Sequence, residues 1–227
     1  MKENKSLAVS MQQTIEHGNF SFVGDIGEIM LDAVLEDGVL KDIPVLGTIV
    51  GVGKCIRNVY DMHFAKKLIA FLVPIKDVEP EKRAEAIQRW QDDENYRGMV
   101  GETILGIIER CDDTVKAEWL SKLFYALVLK RNFSRLFMRA EKTLSSLSVM
   151  DMQAFLKMPL DHYNRISEEE CEPFIGSGLY QNPKFSEPKD DDLDLDDTYC
   201  EITEIGFWIY NVLNGIPVPS DKPNPLF

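Results

Sequence analysis

Apolar residues recur every three or four positions through most of the first 147 residues, and this spacing restricts the fold more than any other feature. Alternation with a period of two, which marks half-buried strands, is nearly absent there. Pro44 and Pro80 stand at expected helix starts, where the missing N–H costs nothing. We therefore expect a mainly α fold, with a helical bundle over residues 1–147.

The pattern changes after Leu147. It predicts two short helices, a turn at Gly176 and Gly178, two short strands and a closing helix. The strands are expected in LYQNPKF and YCEIT, and the closing helix in EIGFWIYNVLN. Two helices, a two-stranded wing and a closing helix predict a small winged-helix-like α+β unit over residues 148–215. The prolines of residues 216–227 indicate an irregular tail.

Acidic residues are concentrated in the C-terminal third of the chain. The formal net charge of the chain is -13, and residues 146–227 hold 16 Asp and Glu against 5 Lys and Arg. The densest stretch, SEPKDDDLDLDDTY at 186–199, is expected to form an exposed acidic loop because its like charges repel. Phosphate backbones are repelled by such a surface, so we expect no binding to duplex DNA. Packing, dimerisation or sensing are the roles expected of this unit.

No local motif for catalysis or cofactor binding is present. The sequence lacks a P-loop, GxGxxG, GxSxG and HExxH, which leaves no recognisable pair of nucleophile and base. The cysteines, which form no CxxC pair, are Cys55, Cys111, Cys171 and Cys200. The three histidines lie in unrelated segments. We expect reduced thiols, no disulfide scaffold, no metal, no cofactor and no enzymatic activity.

Residues 44–73 form the most unusual segment. Residues 43–53 carry no charge, and no residue after Pro44 prevents one continuous helix. Such a helix would be ~45 Å long, which exceeds the ~30 Å hydrocarbon core of a bilayer. One face is expected to hold Val45, Ile49, Val52, Ile56, Val59 and His63, and the other Gly47, Gly51, Lys54, Asn58, Asp61 and Ala65. Several such amphipathic helices can line an aqueous pore in a membrane.

An alternative remains open for this segment, in which it is the central helix of a soluble bundle. Three glycines within seven residues each cost about 1 kcal/mol of helix stability relative to alanine, which suits a helix that changes its packing. The GxxxG spacing of Gly47 and Gly51 also permits close approach of helices. Cations outnumber acids between Gly53 and Lys76, as suits an anionic membrane surface.

A second candidate site is a cluster of cations in residues 120–142. Arg131, Arg135, Arg139 and Lys142 follow the spacing of one helix face, with Lys130 beside them. Guanidinium groups in this arrangement can bind phosphates, and Tyr125 or Phe133 at the edge can stack on a base. The predicted ligand is a nucleotide or a short single-stranded oligonucleotide. A solvated face, or a subunit contact to the acidic third, is the alternative.

Four stretches resemble a known family. They are DGVLKDIPVLGTIVGVGK with KKLIAFL after it, SKLFYALVLKRNFS, and the ending GLY followed by YCEITEIGFWIYNVL. In their order, the chain resembles bacterial phage-defence proteins of the abortive-infection alpha type. It is also similar to the membrane effector encoded beside a nucleotidyltransferase in Hailong-type defence pairs. The resemblance implies a non-enzymatic effector that damages the inner membrane and is held inactive by a nucleotide-derived ligand.

Together these observations predict a homo-oligomeric antiphage effector that forms a pore or ion channel through helix 44–73. The expected pore residues are Val45, Gly47, Ile49, Gly51, Val52, Lys54, Ile56 and Val59. The expected location is the cytoplasm, with association to the inner membrane in the active state. The alternative is a soluble helical interaction or regulatory module with no membrane activity.

Overall fold

The protein is mainly helical, with one small two-stranded sheet near the C-terminus. The computed structural model describes residues 2–18, 43–51, 59–94, 97–128, 133–159, 161–181 and 199–217. Helices account for 73% of these residues, which confirms the expected mainly α class. The chain divides into two compact units, residues 1–137 and 138–227, and each is described by itself.

Among the described residues of the first unit there are six helices, and a seventh begins there. They are α1 (Lys2–His17), α2 (Pro44–Gly51), α3 (Val59–Leu72), α4 (Pro80–Asp92), α5 (Val100–Arg110), α6 (Thr114–Val128) and α7 (Phe133–Ser146). A 3-10 helix over Val73–Asp77 follows α3. Pro44 and Pro80 are the first residues of α2 and α4, as their position in the sequence predicts.

Helices α2, α4 and α5 of this unit all pack against α1. Helices α3 and α6 form another extensive pair. Aromatic rings fill the core: Trp90 lies with its ring centroid 5.6 Å from those of both Phe124 and Phe137. Phe71 on α3 lies 6.3 Å from Phe124 in the same cluster. Rings of this size account for a large share of the apolar surface that folding buries.

The buried face of α3 differs from the expected one. The sequence places His63 on the apolar face and Ala65 on the polar face, yet His63 is exposed and Ala65 is buried. Ala65, Leu68, Ile69 and Leu72 are all buried, and their spacing of three and four residues makes one stripe. The large apolar residues at the end of α3 therefore determine which side of the helix faces α6. The apolar spacing of residues 45–59 does not continue through α3.

The second unit combines short helices with the sheet. Its elements after α7 are α8 (Val149–Leu156), β1 (Arg165–Ser167), α9 (Glu168–Cys171), a 3-10 helix (Glu172–Phe174), β2 (Tyr199–Glu201) and α10 (Glu204–Leu213). Ser167 caps α9 through a reciprocal pair of hydrogen bonds with Glu170, and the Thr203 hydroxyl accepts the Gly206 N–H at the start of α10.

The pairing of the strands adds one element that the sequence does not predict. Strand β2 pairs with β1 in antiparallel register, with Ile166 opposite Cys200. The expected strand around Tyr180 contributes a single bridge to Ile202. Three residues are too few for alternation to stand out, so β1 gives no recognisable signal in the sequence.

Stacked tyrosines hold the core of the second unit. The rings of Tyr163 and Tyr210 are nearly parallel, with centroids 3.7 Å apart. The Tyr180 hydroxyl donates a 2.8 Å hydrogen bond to the Tyr163 carbonyl, so a third ring is tied to the same cluster. Buried phenol groups need such partners, and here the backbone supplies one.

Some expectations lie outside the described residues. Nearly all of the acidic loop 186–199 does so, since the described chain resumes at Tyr199, and so does most of the tail 216–227. The same is true of residues 52–58, on which the continuity of helix 44–73 depends. The domain limits 1–147 and 148–215 stay predictions.

Two glycines of α5 provide a matched test of the contact between α1 and α5. A Cβ atom at Gly101 would lie 2.0 Å from the Ala8 carbonyl oxygen of α1, whereas at Gly106 the nearest atom is the end of the Arg110 side chain at 3.5 Å. We expect Gly101→Ala to lower the free energy of unfolding by about 1–3 kcal/mol, because the helices must separate. Gly106→Ala should raise it by up to about 1 kcal/mol.

Urea unfolding followed by circular dichroism measures both variants. Equal effects at the two positions would contradict the close backbone approach at Gly101.

Candidate functional site

Helix α2, the first part of the predicted membrane-active segment, is docked against α1. Val45 is fully buried, and Ile43 and Leu46 are each 2% exposed. Gly47 and Ile49 are half-buried, and Gly51 closes the helix. Of the apolar residues predicted to enter a membrane, Val45 is therefore covered by protein and Ile49 is partly covered.

One hydroxyl joins the two helices at the start of α2. The Thr14 hydroxyl, which is fully buried, accepts a 3.0 Å hydrogen bond from the Val45 N–H and donates one of 2.7 Å to the Ser10 carbonyl. The first N–H groups of a helix have no partner within the helix, so Thr14 acts as a cap supplied from α1. One turn further along, the Ser10 and Thr48 hydroxyl oxygens lie 2.7 Å apart.

The same unit contains an interior polar cluster: Arg83 on α4 lies near Tyr125 on α6, and Ser121 precedes Tyr125 by one turn. Arg83 is 5% exposed, and its Nη1 donates a 2.9 Å hydrogen bond to the Gly18 carbonyl just after α1. Among the described residues, the buried hydroxyls of Ser121 and Tyr125 have no hydrogen-bond partner. Buried polar groups normally have one, so these two are the exceptions that call for an explanation.

Burial governs the ionisation of this cluster. Burial lowers the pKa of Arg83 below its ordinary value, while Tyr125 and Glu81 act in the opposite direction. Burial raises the pKa of Tyr125 far above its ordinary value, and Arg83 opposes that shift. Tyr125 is therefore a neutral phenol at physiological pH. The cluster offers one cation and two neutral hydroxyls, a set of donors that suits an oxyanion or a carbonyl oxygen.

The predicted basic face lies partly on α7. Arg135 and Lys142 are exposed, and Arg139 is half-buried. Burial raises the pKa of Glu204, and the nearby Arg139 acts in the opposite direction. Lys130 and Arg131 lie outside the described residues, and of Phe133 only the backbone at the start of α7 is described. Tyr125 has its hydroxyl in the interior of the first unit, where it cannot reach a base in solution.

Of the remaining predicted pore residues, one begins a described helix and three lie outside the described residues. Val59 is the first residue of α3, and Val52, Lys54 and Ile56 lie outside the described residues. None of the described helices is both long enough and apolar enough to cross a membrane.

The described polar side chains form no arrangement that matches a known catalytic set. The Glu170 carboxylate bonds His162 at 2.9 Å and the Ser167 hydroxyl at 2.9 Å, and its pKa is lowered by these hydrogen bonds. The Glu170 carboxylate therefore lies between the histidine and the hydroxyl. To act as base and nucleophile, these two groups would need to contact each other directly. Within the described ranges, His, Cys, Asp and Glu side chains form no group of three that could hold a metal ion.

Sequence reasoning missed Thr14, Arg83 and Ser121. Arg83 carries a signal in retrospect, because Ala86, Ile87 and Trp90 follow it at three, four and seven residues and all are buried. A cation on an apolar helical stripe indicates a buried guanidinium. Thr14 and Ser121 give no comparable signal, since a hydroxyl on a helix is ordinary at any depth.

No protein-family model, curated protein or solved structure matches this chain. The function is therefore argued from the residues themselves.

Two buried hydroxyls provide a paired test of this geometry. Thr14→Val keeps the shape of the side chain but leaves the Val45 N–H without its acceptor, so we expect the free energy of unfolding to fall by about 1–3 kcal/mol. Ser121→Ala removes a hydroxyl that has no partner among the described residues, so stability should stay equal or rise slightly. Chemical denaturation of both variants measures the difference. A loss in Ser121→Ala as large as that in Thr14→Val would contradict the assignment.

Proposed function

We propose that this protein is a non-enzymatic bacterial antiphage effector that forms a membrane pore or ion channel through the amphipathic segment 44–73. The observation that carries the proposal is the docking of α2 on α1. It covers an uncharged helix that contains glycines, and its contacts are apolar burial and hydrogen bonds, which can break without any covalent change. The resemblance to abortive-infection alpha-type proteins and to Hailong-type membrane effectors agrees with it. In the resting state the protein is a cytoplasmic homo-oligomer, and it associates with the inner membrane when active.

The energetics of release favour a switch. Burial of Ile43, Val45 and Leu46 stabilises the docked state by about 5–9 kcal/mol in total. Transfer of the same side chains into a bilayer recovers a comparable free energy, so the two locations are nearly balanced. The Thr14 and Ser10 hydrogen bonds then favour the docked state, and a ligand needs to contribute only a few kcal/mol to control the choice.

The inserted form that we propose is one continuous helix over residues 44–73, with its polar side toward a shared lumen. At 1.5 Å per residue the segment has the length that a bilayer requires. Gly47 is half-buried even in the docked helix, so a small residue already permits close approach of α2 to a neighbour.

The ligand that holds the oligomer inactive is, in this proposal, a nucleotide or a short single-stranded oligonucleotide bound to the basic face of α7. Exposure of Arg135 and Lys142 on one helix supports the assignment. The C-terminal unit is proposed to be winged-helix-like and to serve in dimerisation or sensing. Its excess of acidic residues argues against a role in binding duplex DNA.

Release of α2 can be tested with a lock across its contact with α1. Thr14→Val weakens the docked state, so we expect this variant to empty dye-loaded vesicles that contain anionic phosphatidylglycerol. Adding Ser10→Cys with Thr48→Cys, where the native oxygens lie 2.7 Å apart, should suppress leakage after oxidation and restore it after reduction. Dye release, with the cross-link verified by mass spectrometry, is the measurement.

Thr203→Val is the matched control. Its hydroxyl also donates to a carbonyl, that of Gly178, and accepts from the Gly206 N–H at a helix start, but it lies in the second unit. We expect no leakage from it. Leakage that the lock does not suppress, or equal leakage from Thr14→Val and Thr203→Val, counts against release of α2. Fully soluble material with intact membrane potential in expressing cells would favour a soluble interaction module instead.

The basic face is tested by charge reversal at its two exposed cations. We expect Arg135→Glu with Lys142→Glu to weaken binding of labelled mononucleotides or short oligonucleotides at least tenfold, because attraction to phosphate becomes repulsion. Binding to the native protein should weaken steeply as salt rises. Arg139 is left unchanged, since a carboxylate there would lie near Glu204. Fluorescence anisotropy at two salt concentrations measures both effects.

Lys82→Glu is the control for net charge, since Lys82 is exposed and lies on α4. Retained binding in the double variant, or an equal loss of binding in Lys82→Glu, would show that the ligand does not bind to this face.

A further inference from the structure

Two cysteines that are far apart in the sequence meet in the second unit. Cys171 is the last residue of α9, and Cys200 is the central residue of β2. They are 1% and 0% exposed, respectively. Helix α9 directly follows β1 and packs against both strands, so its last turn comes to lie against β2. The Cys171 and Cys200 thiols interact electrostatically, which places them near each other.

The surroundings of these thiols restrict their chemistry. Burial raises the pKa of Cys171 to about 12, with the interaction with Cys200 as the next cause, so the group is a protonated thiol at neutral pH. The described residues include no third metal ligand beside the pair. Cys111 differs, because its thiol lies in the first unit and donates to the Ile107 carbonyl. What remains for Cys171 and Cys200 is reaction with each other.

We propose that Cys171 and Cys200 are a reversible redox pair, which a hydroperoxide converts to an intramolecular disulfide between α9 and β2. In the first step one sulfur attacks a peroxide oxygen, the O–O bond breaks, and a sulfenic acid and one molecule of water form from hydrogen peroxide. In the second step the other sulfur attacks the sulfenyl sulfur, the S–S bond forms and a second water leaves. The two thiols lose two protons and two electrons in total, and the peroxide is reduced.

The disulfide has a defined structural consequence. It closes a ring through residues 171–200, which contains the acidic stretch 186–199 up to β2. A cross-link over a ring of this size restricts the unfolded chain, and the nearness of the thiols in the folded state means that little rearrangement is needed to form it. Because both sulfurs are buried, oxidation should be slow in the folded protein and faster where mild denaturant opens the unit.

The experiment treats the purified full chain with hydrogen peroxide, blocks the remaining thiols with an alkylating reagent and maps the peptides by mass spectrometry. We expect one linked pair, Cys171 with Cys200, lost again on treatment with dithiothreitol. The melting transition of the oxidised protein should rise by on the order of 10 °C. Cys111→Ser should behave like the native chain, whereas Cys171→Ala should show no peroxide-dependent rise.

The results for the native chain test the proposal by themselves, even if a cysteine variant fails to fold. Alkylation of both residues after peroxide treatment, oxidation of either to sulfinic acid without a link, or a linked pair that involves another cysteine would overturn the proposal. So would an unchanged melting transition in protein that carries the link. None of these readouts depends on membrane activity, so the redox pair and the proposed effector function stand or fall separately.

Discussion

The hydroxyl of Thr14 fixes the position of α2, and the arrangement of the described helices in the first unit depends on it. It bonds the Val45 N–H, which lies 31 residues further along the chain. Burial of Val45 and Leu46 supplies most of the stabilisation, but burial has no direction and would tolerate a rotated or shifted helix. The hydrogen bond has a direction, so it selects one register of α2 on α1. A buried N–H without this acceptor would cost more than the bond itself contributes.

The interior polar cluster contacts α1 at the same end as Thr14, because Gly18 follows Thr14 by one turn. Arg83 binds the carbonyl of Gly18, where α1 stops, and so ties α4 to the end of the helix on which α2 is docked. A guanidinium in the interior is costly, and the lowered pKa of Arg83 reflects that cost. Tyr125 lies near Arg83, and its hydroxyl has no hydrogen-bond partner among the described residues. Anything that draws Arg83 away from Gly18 would therefore loosen α1 one turn beyond Thr14, next to its contact with α2.

The sequence predicts elements whose signals are long and repeated. The helices that begin at Pro44 and Pro80 follow from proline placement and apolar spacing, and the turn glycines Gly176 and Gly178 both have positive φ angles. Prediction from the sequence fails where a pattern covers few residues, or where a contact joins residues that are far apart in the chain. Strand β1 has three residues, and the burial of Ala65 instead of His63 depends on which side of α3 meets α6. The meeting of Cys171 with Cys200 depends on the β1–β2 register, which no local pattern encodes.

The candidate site was less predictable than the fold for a related reason. The sequence gives few clues to the groups that a charge on a helix meets: Arg135 faces solvent, whereas Arg83, whose apolar neighbours indicate burial, meets the Gly18 carbonyl. The neighbouring helices determine which of these environments the charge occupies. The apolar residues of α2 raise the same difficulty, because Val45 and Leu46 suit a protein core and a bilayer equally well. Their composition fixes how strongly they avoid water, whereas polar contacts such as those of Thr14 and Ser10 fix the place that α2 occupies on α1.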